Sequence, residues 1–486
     1  MNRSMIVYIL GRISFINALL MLPSMLVGLI YWEKETLYFL PPMILLLLAG
    51  LLLGMKKPKN TAFYGRDGFV IVALAWLVLS VSGAMPLALS DVFQNPIDAF
   101  FEIVSGFTTT GASVLPRPEL LPKCLLFWRS FSHWVGGMGV LVFVMAILPL
   151  SDDRSMHLMR AEVPGPTVGK LVPRMKKTAV ILYQVYTVLT LTLFGILLIC
   201  RMPVFDALCH AFGTAGTGGF SVSSSGFAAY GGYAPAMEIV IGIFLLLFGI
   251  NFNLYYLILL RRVKAVLRSE ELRVYLIIVA FATGAIFLNT ISLFPSALES
   301  LRHAFFQTAS IITTAGFSST NFTAIYPMFS QCILLMLMIC GGCAGSTAGG
   351  FKISRVILLF KSFGQEIKKL LHPRAVTTVR LEGKPVERTL LHSTFIYLVV
   401  YMIIIVLSTL LLSLDGQGFT TTFTGVISCF NNIGPGLGDA IGAAGNYSIF
   451  SIPATLLLSF VMLLGRLEIF PMLILFSSSL YKKNIS

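Results

Sequence analysis

Four short polar runs interrupt an otherwise apolar sequence, and their backbone is the part of the chain best suited to chemistry. Each run ends a fifteen-residue stretch whose thirteenth residue is glycine. The four stretches are Ala99–Ser113 (AFFEIVSGFTTTGAS), Ala207–Ser221 (ALCHAFGTAGTGGFS), Ala304–Ser318 (AFFQTASIITTAGFS) and Thr422–Gly436 (TFTGVISCFNNIGPG). The polar end of the first stretch carries no charged side chain that could act as acid, base or nucleophile. It offers rows of backbone carbonyl oxygens, which can replace the hydration shell of a monovalent cation.

The composition predicts an integral membrane protein. Of the 486 residues, 56% are hydrophobic and 12% are charged, and the mean hydropathy is +0.87. Soluble globular chains carry about 25% charged residues. A net charge of +14 could suggest a nucleic-acid partner. The Lys and Arg residues instead cluster between apolar runs, as in the cytoplasmic loops of polytopic proteins, so no nucleic-acid partner is predicted.

Ten apolar runs are predicted to be transmembrane helices, and most of them suit the ~20 residues with which a helix crosses a bilayer. The first two are Met5–Tyr31 and Tyr38–Gly54, and Met5–Tyr31 is expected to be a retained helix rather than a signal peptide. The other eight form pairs around the polar runs: Gly68–Ser90 with Cys124–Leu150, Thr178–Cys200 with Pro235–Leu260, Leu272–Phe294 with Met328–Phe360, and Leu390–Leu414 with Phe450–Leu480. The predicted fold class is an all-α polytopic membrane protein with ten transmembrane helices.

The charge distribution predicts the topology. Most Lys and Arg residues follow the even-numbered spans, whereas Val222–Ala234 and Ser318–Pro327 carry no charge. Both termini are therefore expected in the cytoplasm, and the four polar runs are expected outside. The chain then divides into a two-helix extension and four parallel repeats of helix, pore loop and helix, with the boundaries 1–60, 61–150, 151–265, 266–375 and 376–486.

The first eight or so residues of each stretch predict a short helix of about two turns that enters the membrane and returns. Non-helical backbone at that depth is tolerated only where it is buried in protein or lines a water-filled cavity. Four such copies can surround one pore with pseudo-fourfold symmetry. The short helices would aim the negative ends of their dipoles at the pore, which favours a cation. Glycine supplies backbone angles that residues with a Cβ atom resist.

The four loops TTGAS, TGGFS, TAGFS and NIGPG, each between two spans, resemble those of the Trk/Ktr/HKT superfamily of potassium transporters. The two extra N-terminal spans make the chain most similar to the membrane subunit of the Trk system. The resemblance covers essentially the whole chain and implies potassium uptake across a bacterial inner membrane. It implies that potassium is bound by the backbone carbonyls of Thr109, Thr110, Gly111, Thr217, Gly218, Gly219, Thr314, Ala315, Gly316, Asn432, Ile433 and Gly434. Gly111 points to potassium, because plant relatives that prefer sodium carry serine at the first of the four glycines.

The eighth span contains CGGCAGSTAGGF from Cys340 to Phe351. Each glycine costs about 1 kcal/mol in a helix relative to alanine, so this segment is predicted to be unwound. A close packing site for another helix is the alternative. The resemblance implies an intramembrane gating loop, which would contain Gly341, Gly342, Gly345, Ser346, Thr347, Gly349 and Gly350. Arg466, a costly charge near the centre of the tenth span, would contact this loop by the same resemblance.

The resemblance also implies a homodimer whose gate is controlled by a cytoplasmic nucleotide-binding subunit of the TrkA type. The chain shows no nucleotide site of its own, and no bound cofactor is expected besides the transported potassium ions. The basic segment Lys361–Arg388 is expected to dock either anionic membrane lipid or such a partner.

Two other classes of function can be weighed against the sequence. A strictly proton- or sodium-coupled symporter with alternating access would call for inverted repeats and buried midplane carboxylates. The repeats here are parallel, and carboxylates within the spans are scarce. A membrane-embedded aspartyl protease would need a second intramembrane aspartate beside the GLGD motif at Gly436–Asp439, and no span supplies one. No enzymatic activity is therefore predicted.

Overall fold

The computed structural model describes residues 2–59, 65–139, 175–374 and 378–477, and the chain in these ranges is almost entirely helical. The helices are numbered in chain order within the described ranges. They are α1 Arg3–Leu20, α2 Leu22–Ile30, α3 Leu40–Gly54, α4 Gly65–Ala88, α5 Pro96–Phe107, α6 Lys123–Gly137, α7 Met175–Ile199, α8 Val204–Ala215, α9 Ala234–Phe248, α10 Phe252–Leu259, α11 Val263–Leu267, α12 Glu270–Thr290, α13 Ala297–Ile312, α14 Phe322–Ile325, α15 Met328–Cys340, α16 Ile353–Leu371, α17 Arg388–Leu412, α18 Phe419–Asn431, α19 Ile452–Arg466 and α20 Phe470–Leu475. A two-stranded antiparallel hairpin pairs β1 Arg380–Leu381 with β2 Lys384–Pro385.

Most of the predicted spans correspond to apolar helices. Seven helical segments of the described ranges are long and apolar enough to cross a membrane: Arg3–Ile30, Lys34–Gly54, Asp67–Ala88, Ala179–Ile199, Gly226–Phe248, Glu270–Leu293 and Arg388–Asp415. Two shorter apolar helices, Met328–Cys340 and Ile452–Arg466, fall on the eighth and tenth predicted runs. The remaining run, Cys124–Leu150, begins as α6 and leaves the described residues after Gly139. The count of ten spans therefore stays a prediction.

Four short helices, α5, α8, α13 and α18, end at the polar runs. They contain 12, 12, 16 and 13 residues, so the prediction of about two turns was wrong. The helices are longer because they begin before the aromatic stretches. The Asn95 side chain accepts a 2.9 Å hydrogen bond from the Ile97 N–H at the start of α5. The Ser296 hydroxyl accepts one of 3.2 Å from the Glu299 N–H at the start of α13. Both are helix-capping contacts.

The short helices pack in a closed order. Each contacts the long helix before it, the helix after it, and the helix that follows the preceding short helix. The contacts are α5 with α4, α6 and α19; α8 with α7, α9 and α6; α13 with α12, α15 and α9; and α18 with α17, α19 and α15. Since α5 contacts α19, the helix that follows the fourth short helix meets the first short helix. The four polar runs are thereby brought to one centre.

The helices that follow the second, third and fourth polar runs are broken in the middle. Only Met328–Phe360 was predicted to be interrupted, between α15 and α16. The prediction that Pro235–Leu260 and Phe450–Leu480 each form one continuous helix was wrong. The first divides between α9 and α10 at a cap, where the Asn251 side chain accepts a hydrogen bond from the Asn253 N–H. The second ends α19 at positive φ angles of Glu468 and Ile469, 54° and 68°, and its last predicted residues lie beyond the described range.

Candidate cation site

The four glycine runs, defined as Thr109–Gly111, Thr217–Gly219, Thr314–Gly316 and Asn432–Gly434, share an unusual backbone. The first residue of each has a φ of 55°, 52°, 56° and 57°, and the glycine a φ of 79°, 75°, 77° and 104°. Positive φ is a marked outlier for a β-branched residue such as threonine, and costs roughly 1–3 kcal/mol. Three of the four runs begin with threonine. The surrounding fold therefore imposes the same strained conformation on four separate segments.

In each run the N–H groups of the first two residues donate to the end of the preceding short helix, whereas the carbonyls of the run point elsewhere. The Thr109 N–H donates to the Gly106 carbonyl at 3.1 Å and the Thr110 N–H to the Ser105 carbonyl at 2.8 Å, and the other three runs repeat this pattern. Among the described residues, eleven of the twelve run carbonyls have no hydrogen-bond donor. The twelfth, that of Gly434, accepts a 2.7 Å bond from the Tyr447 hydroxyl. Buried carbonyls are normally paired, so these oxygens keep the capacity to accept a hydrogen bond from water or to bind a cation.

The four runs also touch one another in chain order. A Cβ atom added to the glycine of one run would collide with the carbonyl oxygen of the next run's middle residue, and the fourth run meets the first in the same way. The distances are 2.0 Å for Gly111 to Gly218, 1.8 Å for Gly219 to Ala315, 1.9 Å for Gly316 to Ile433 and 2.8 Å for Gly434 to Thr110. All four lie below ordinary Cβ contact distances. The runs therefore form a closed ring that admits glycine at these places.

A polar cavity of about 420 Å³ opens on one side of the ring. The glycines Gly111, Gly219, Gly316 and Gly434 are among its lining residues, together with several serines.

The glycine-rich loop, defined here as 341–352, lies against the opposite ends of the runs. The Gly349 N–H donates a 2.7 Å hydrogen bond to the Thr314 hydroxyl. The Thr347 hydroxyl lies 3.4 Å from that of Thr217. All seven residues predicted for the loop lie in it: Gly341, Gly342, Gly345, Ser346, Thr347, Gly349 and Gly350. Thr217 and Thr314 each begin a run, so the loop covers the ring on the side away from the cavity.

Arg466 joins this loop to α6. Its Nη1 atom donates to the Thr347 carbonyl at 2.8 Å, and its Nη2 atom to the carbonyls of Gly136 and Gly137 at 2.5 and 2.7 Å. The side chain is 8% exposed. The sequence predicted that Arg466 lies near the centre of the tenth span, whereas in the structure it is the last residue of α19. A fixed positive charge consequently lies beside the loop.

Two acidic residues at or beside the glycine-rich loop were given no role from the sequence. The Glu271 carboxylate, buried at the start of α12, accepts hydrogen bonds from the N–H groups of Ala344 and Ser354 at 2.8 and 3.2 Å. Glu468 forms an ion pair with Arg355 of α16. A carboxylate in the first turn of a helix is the usual partner of the helix dipole, which is why sequence alone gave Glu271 no other role. The signal available was its position immediately next to a predicted span.

The arrangement of four strained runs can be compared with known proteins. A family model described as TrkH, cation transport protein, matches residues 38–486. The Trk system potassium uptake protein TrkH of Salmonella typhimurium is 37% identical over 94% of this chain and 95% of its own. The protein TrkG of the same system in Escherichia coli is 35% identical over 98% of both chains.

A solved structure agrees with these sequence matches. The crystal structure of the potassium transporter TrkH from Vibrio parahaemolyticus superposes with a TM-score of 0.88, at 33% sequence identity. The match covers 99% of this chain and all of that one. The family is one of transporters, not enzymes, and it implies no cofactor. This chain belongs to the TrkH family of cation transport proteins.

Proposed function

We propose that this chain carries potassium into the cell through the ring of carbonyls formed by the four glycine runs. The observation that carries the proposal is the set of eleven carbonyl oxygens without a protein donor, gathered around one centre. Such oxygens replace the water ligands of a monovalent cation. The relatives named above are potassium uptake proteins, which favours potassium as the ion. The four units then act as parallel repeats with pseudo-fourfold symmetry around one pore.

The glycine-rich loop is the gate in this proposal. It adjoins the ring through Thr347 and Gly349, on the side opposite the polar cavity. Its glycines at positive φ, Gly341, Gly345 and Gly350, allow a backbone that no helix holds. Arg466 and Glu271 hold the loop through hydrogen bonds to its backbone. Movement of the loop away from the ring would open the path.

In this proposal a cytoplasmic nucleotide-binding subunit of the TrkA type controls the gate. The chain itself forms a homodimer in a bacterial inner membrane, with both termini in the cytoplasm. The membrane subunits of Trk systems work with a regulatory partner, which supports the assignment. The cytoplasmic side of α16 carries exposed basic residues near its end, Lys368 and Lys369. These suit an acidic partner or anionic lipid.

A strictly coupled symporter with alternating access is less favoured. That mechanism needs an ionisable group free to bind the coupling ion. Four carboxylates buried or half-buried within the described helical core have protein partners: Glu102 with Arg129, Glu238 with Arg302, Glu271 with the Ala344 and Ser354 amides, and Glu468 with Arg355. A conduction pathway with a gate requires no such group.

Potassium-dependent growth tests the proposal. An uptake-deficient bacterial strain expressing this chain should grow at low potassium, and Gly111→Ser should abolish or weaken that rescue, because the added side chain meets the Gly218 carbonyl. Gly284→Ser on α12 is the matched control, since a Cβ there meets nothing within 4 Å. If chains with serine at Gly111 or at Gly316 rescued growth as well as the unsubstituted chain, the assignment of the ring as the filter would be contradicted.

A further inference from the structure

An ion pair is buried directly behind the ring, beside the first and second glycine runs. Glu102 on α5 is fully buried, and Arg129 on α6 is 2% exposed. The Arg129 Nε atom lies 2.5 Å from a carboxylate oxygen of Glu102. Neither residue belongs to a run, so neither supplies a carbonyl to the cation site. The contacts of the pair nevertheless lead to the runs.

Glu102 holds the chain that follows the first run. One carboxylate oxygen accepts a 2.9 Å hydrogen bond from the Ser113 hydroxyl, and the other accepts a 3.0 Å bond from the Val114 N–H. Ser113 is the second residue after Gly111. Hydrogen bonds to an ionised group are shorter and stronger than neutral ones, so they fix the position and orientation of the segment that follows the first run.

Arg129 holds the second run at the corresponding place. Its Nη1 atom donates a 3.0 Å hydrogen bond to the Ser221 carbonyl. Its guanidinium carbon lies 3.5 Å from the centroid of the Phe220 ring. Ser221 follows Gly219 by two residues, as Ser113 follows Gly111. The pair therefore ties equivalent positions of two neighbouring runs to one rigid unit.

The other interfaces between the runs are built differently. The residues in the place of Glu102 in the other three stretches are His210, Gln307 and Gly425. His210 stacks on Phe317 of the third stretch, with ring planes 12° apart. The fourth and first units meet where the Tyr447 N–H donates a 2.8 Å bond to the Ser113 carbonyl. The contacts at these places in the described stretches are therefore aromatic or neutral. The ion pair that joins the second and third units, Glu238 with Arg302, involves neither of their stretches.

Stability is a poor explanation for the ion pair, because the cost of desolvating two charges offsets most of their attraction. Charge-assisted hydrogen bonds do, however, fix the relative positions of the groups that they join. A carbonyl filter discriminates between cations through the size of the cage or the number and field of its oxygens, and both depend on how the strands are held. We propose that Glu102 and Arg129 are positioning residues that set the spacing of the first two runs and thereby the preference for potassium over sodium. This inference rests on the function proposed above.

The test is the ratio of initial potassium and sodium uptake rates in potassium-depleted cells that lack their own uptake systems. Either single neutral variant leaves a buried charge unpaired and destabilises the fold by itself, so E102Q/R129Q is the principal probe. We expect it to fold and to transport potassium with the ratio lowered about tenfold, the low end of the loss when partners that orient a cation's ligands are removed. R129K keeps the charge but not the planar fork, and should lower the ratio less.

The control E238Q/R302Q removes the ion pair between α9 and α13, whose atoms lie 2.9 Å apart, and should leave the ratio unchanged. Membrane levels and melting temperatures of the purified variants identify those that are folded. A normal ratio in folded E102Q/R129Q overturns the proposal; if that protein does not fold, a normal ratio in R129K overturns it. G111S separates the two hypotheses. If G111S alters the ratio and the pair variants do not, only the positioning role fails, whereas an unaltered ratio in G111S removes the filter itself.

Discussion

At the scale of single residues, Arg466 is the strongest candidate for holding the loop in place. It makes hydrogen bonds to three carbonyls, one in the loop and two at the end of α6. A bond to a charged group contributes about 1.5–3 kcal/mol. If opening breaks one of them, Arg466→Ala should raise the open fraction roughly 10- to 100-fold. Rubidium uptake by cells or proteoliposomes measures this directly.

Arg466→Lys is the companion variant, because lysine keeps the charge and loses the fork that reaches both neighbours. Its flux should lie between those of the original protein and the alanine variant. The gating role of Arg466 would be contradicted if the alanine variant folded but transported no ion, and if further glycine substitutions in the loop did not restore transport.

The sequence predicted which residues form the ring but not their backbone. Glycine at the thirteenth place of each stretch is visible in the letters. The positive φ of Thr109, Thr217 and Thr314 is not, because threonine by itself avoids that region. The surrounding short helices impose it through bonds such as that from the Thr110 N–H to Ser105. Strain of this origin is a property of the packed fold and leaves no local signature.

At the scale of elements, the loop is attached to α12 through Glu271. Glu271→Gln removes the charge but leaves one oxygen that can accept from Ala344 or Ser354. A loss of about 1 kcal/mol in the closed state is expected, and flux should rise roughly fivefold. The potassium-to-sodium ratio should not change, because the ring is untouched.

Glu270→Gln controls for the loss of charge, since Glu270 pairs with Lys361 rather than with the loop. Comparable flux increases in both variants would indicate a general effect of losing a negative charge at this end of α12, rather than a specific contact of Glu271 with the loop.

Close packing of α6 against α5 gives a prediction for stability. A Cβ atom on Gly136 would lie 1.8 Å from the Phe107 carbonyl oxygen, so Gly136→Ala must push the two helices apart. Overpacking of this kind costs typically 1–3 kcal/mol. Gly284→Ala, where the space is open, should instead gain up to about 1 kcal/mol from helix propensity. Thermal unfolding in detergent should therefore shift in opposite directions, and equal shifts would contradict the packing argument.

Element boundaries show what a periodic apolar pattern omits. The run from Pro235 to Leu260 carries only Gly249, Asn251 and Asn253 near its break at 249–251, and its other residues there are apolar enough to predict one continuous span. The pairing that fills the break comes from the loop, as in the bond from the Cys343 N–H to the Gly249 carbonyl. Long-range contacts of this kind, like that between Glu102 and Arg129, require the fold. The glycine content of 341–350 was the exception that could be read directly.

At the scale of the whole molecule, the four units are equivalent in backbone and unequal in support. The same strained run occurs four times. An ion pair behind the ring joins the first and second units. A histidine stack and the Glu238–Arg302 pair join the second and third, and Tyr447 joins the fourth to the first. Because the four units belong to one chain, the contacts behind each glycine run can differ while the ring itself stays the same. Four identical subunits could not place different contacts behind each run.

The inequality is greatest at the fourth glycine. A Cβ on Gly434 would lie 2.8 Å from the Thr110 carbonyl oxygen, against 2.0 Å or less at the other three places. The Gly434 carbonyl is also held by the Tyr447 hydroxyl, so it contributes least to a free row of ligands. Serine should therefore impair transport least at this position.

We expect G111S, G219S and G316S each to weaken the apparent potassium affinity by about tenfold or more, as when the ligands of a cation are displaced. G434S should weaken it several-fold less. Uptake rates measured over a range of potassium concentrations, in cells with equal amounts of each variant, give the comparison. Tyr447→Phe frees the Gly434 carbonyl without adding a clash, and combining it with G434S should increase the impairment if that hydroxyl steadies the fourth run. Equal losses in all four serine variants would mean that the ring responds as a symmetric unit and that the distances at Gly434 carry no functional difference.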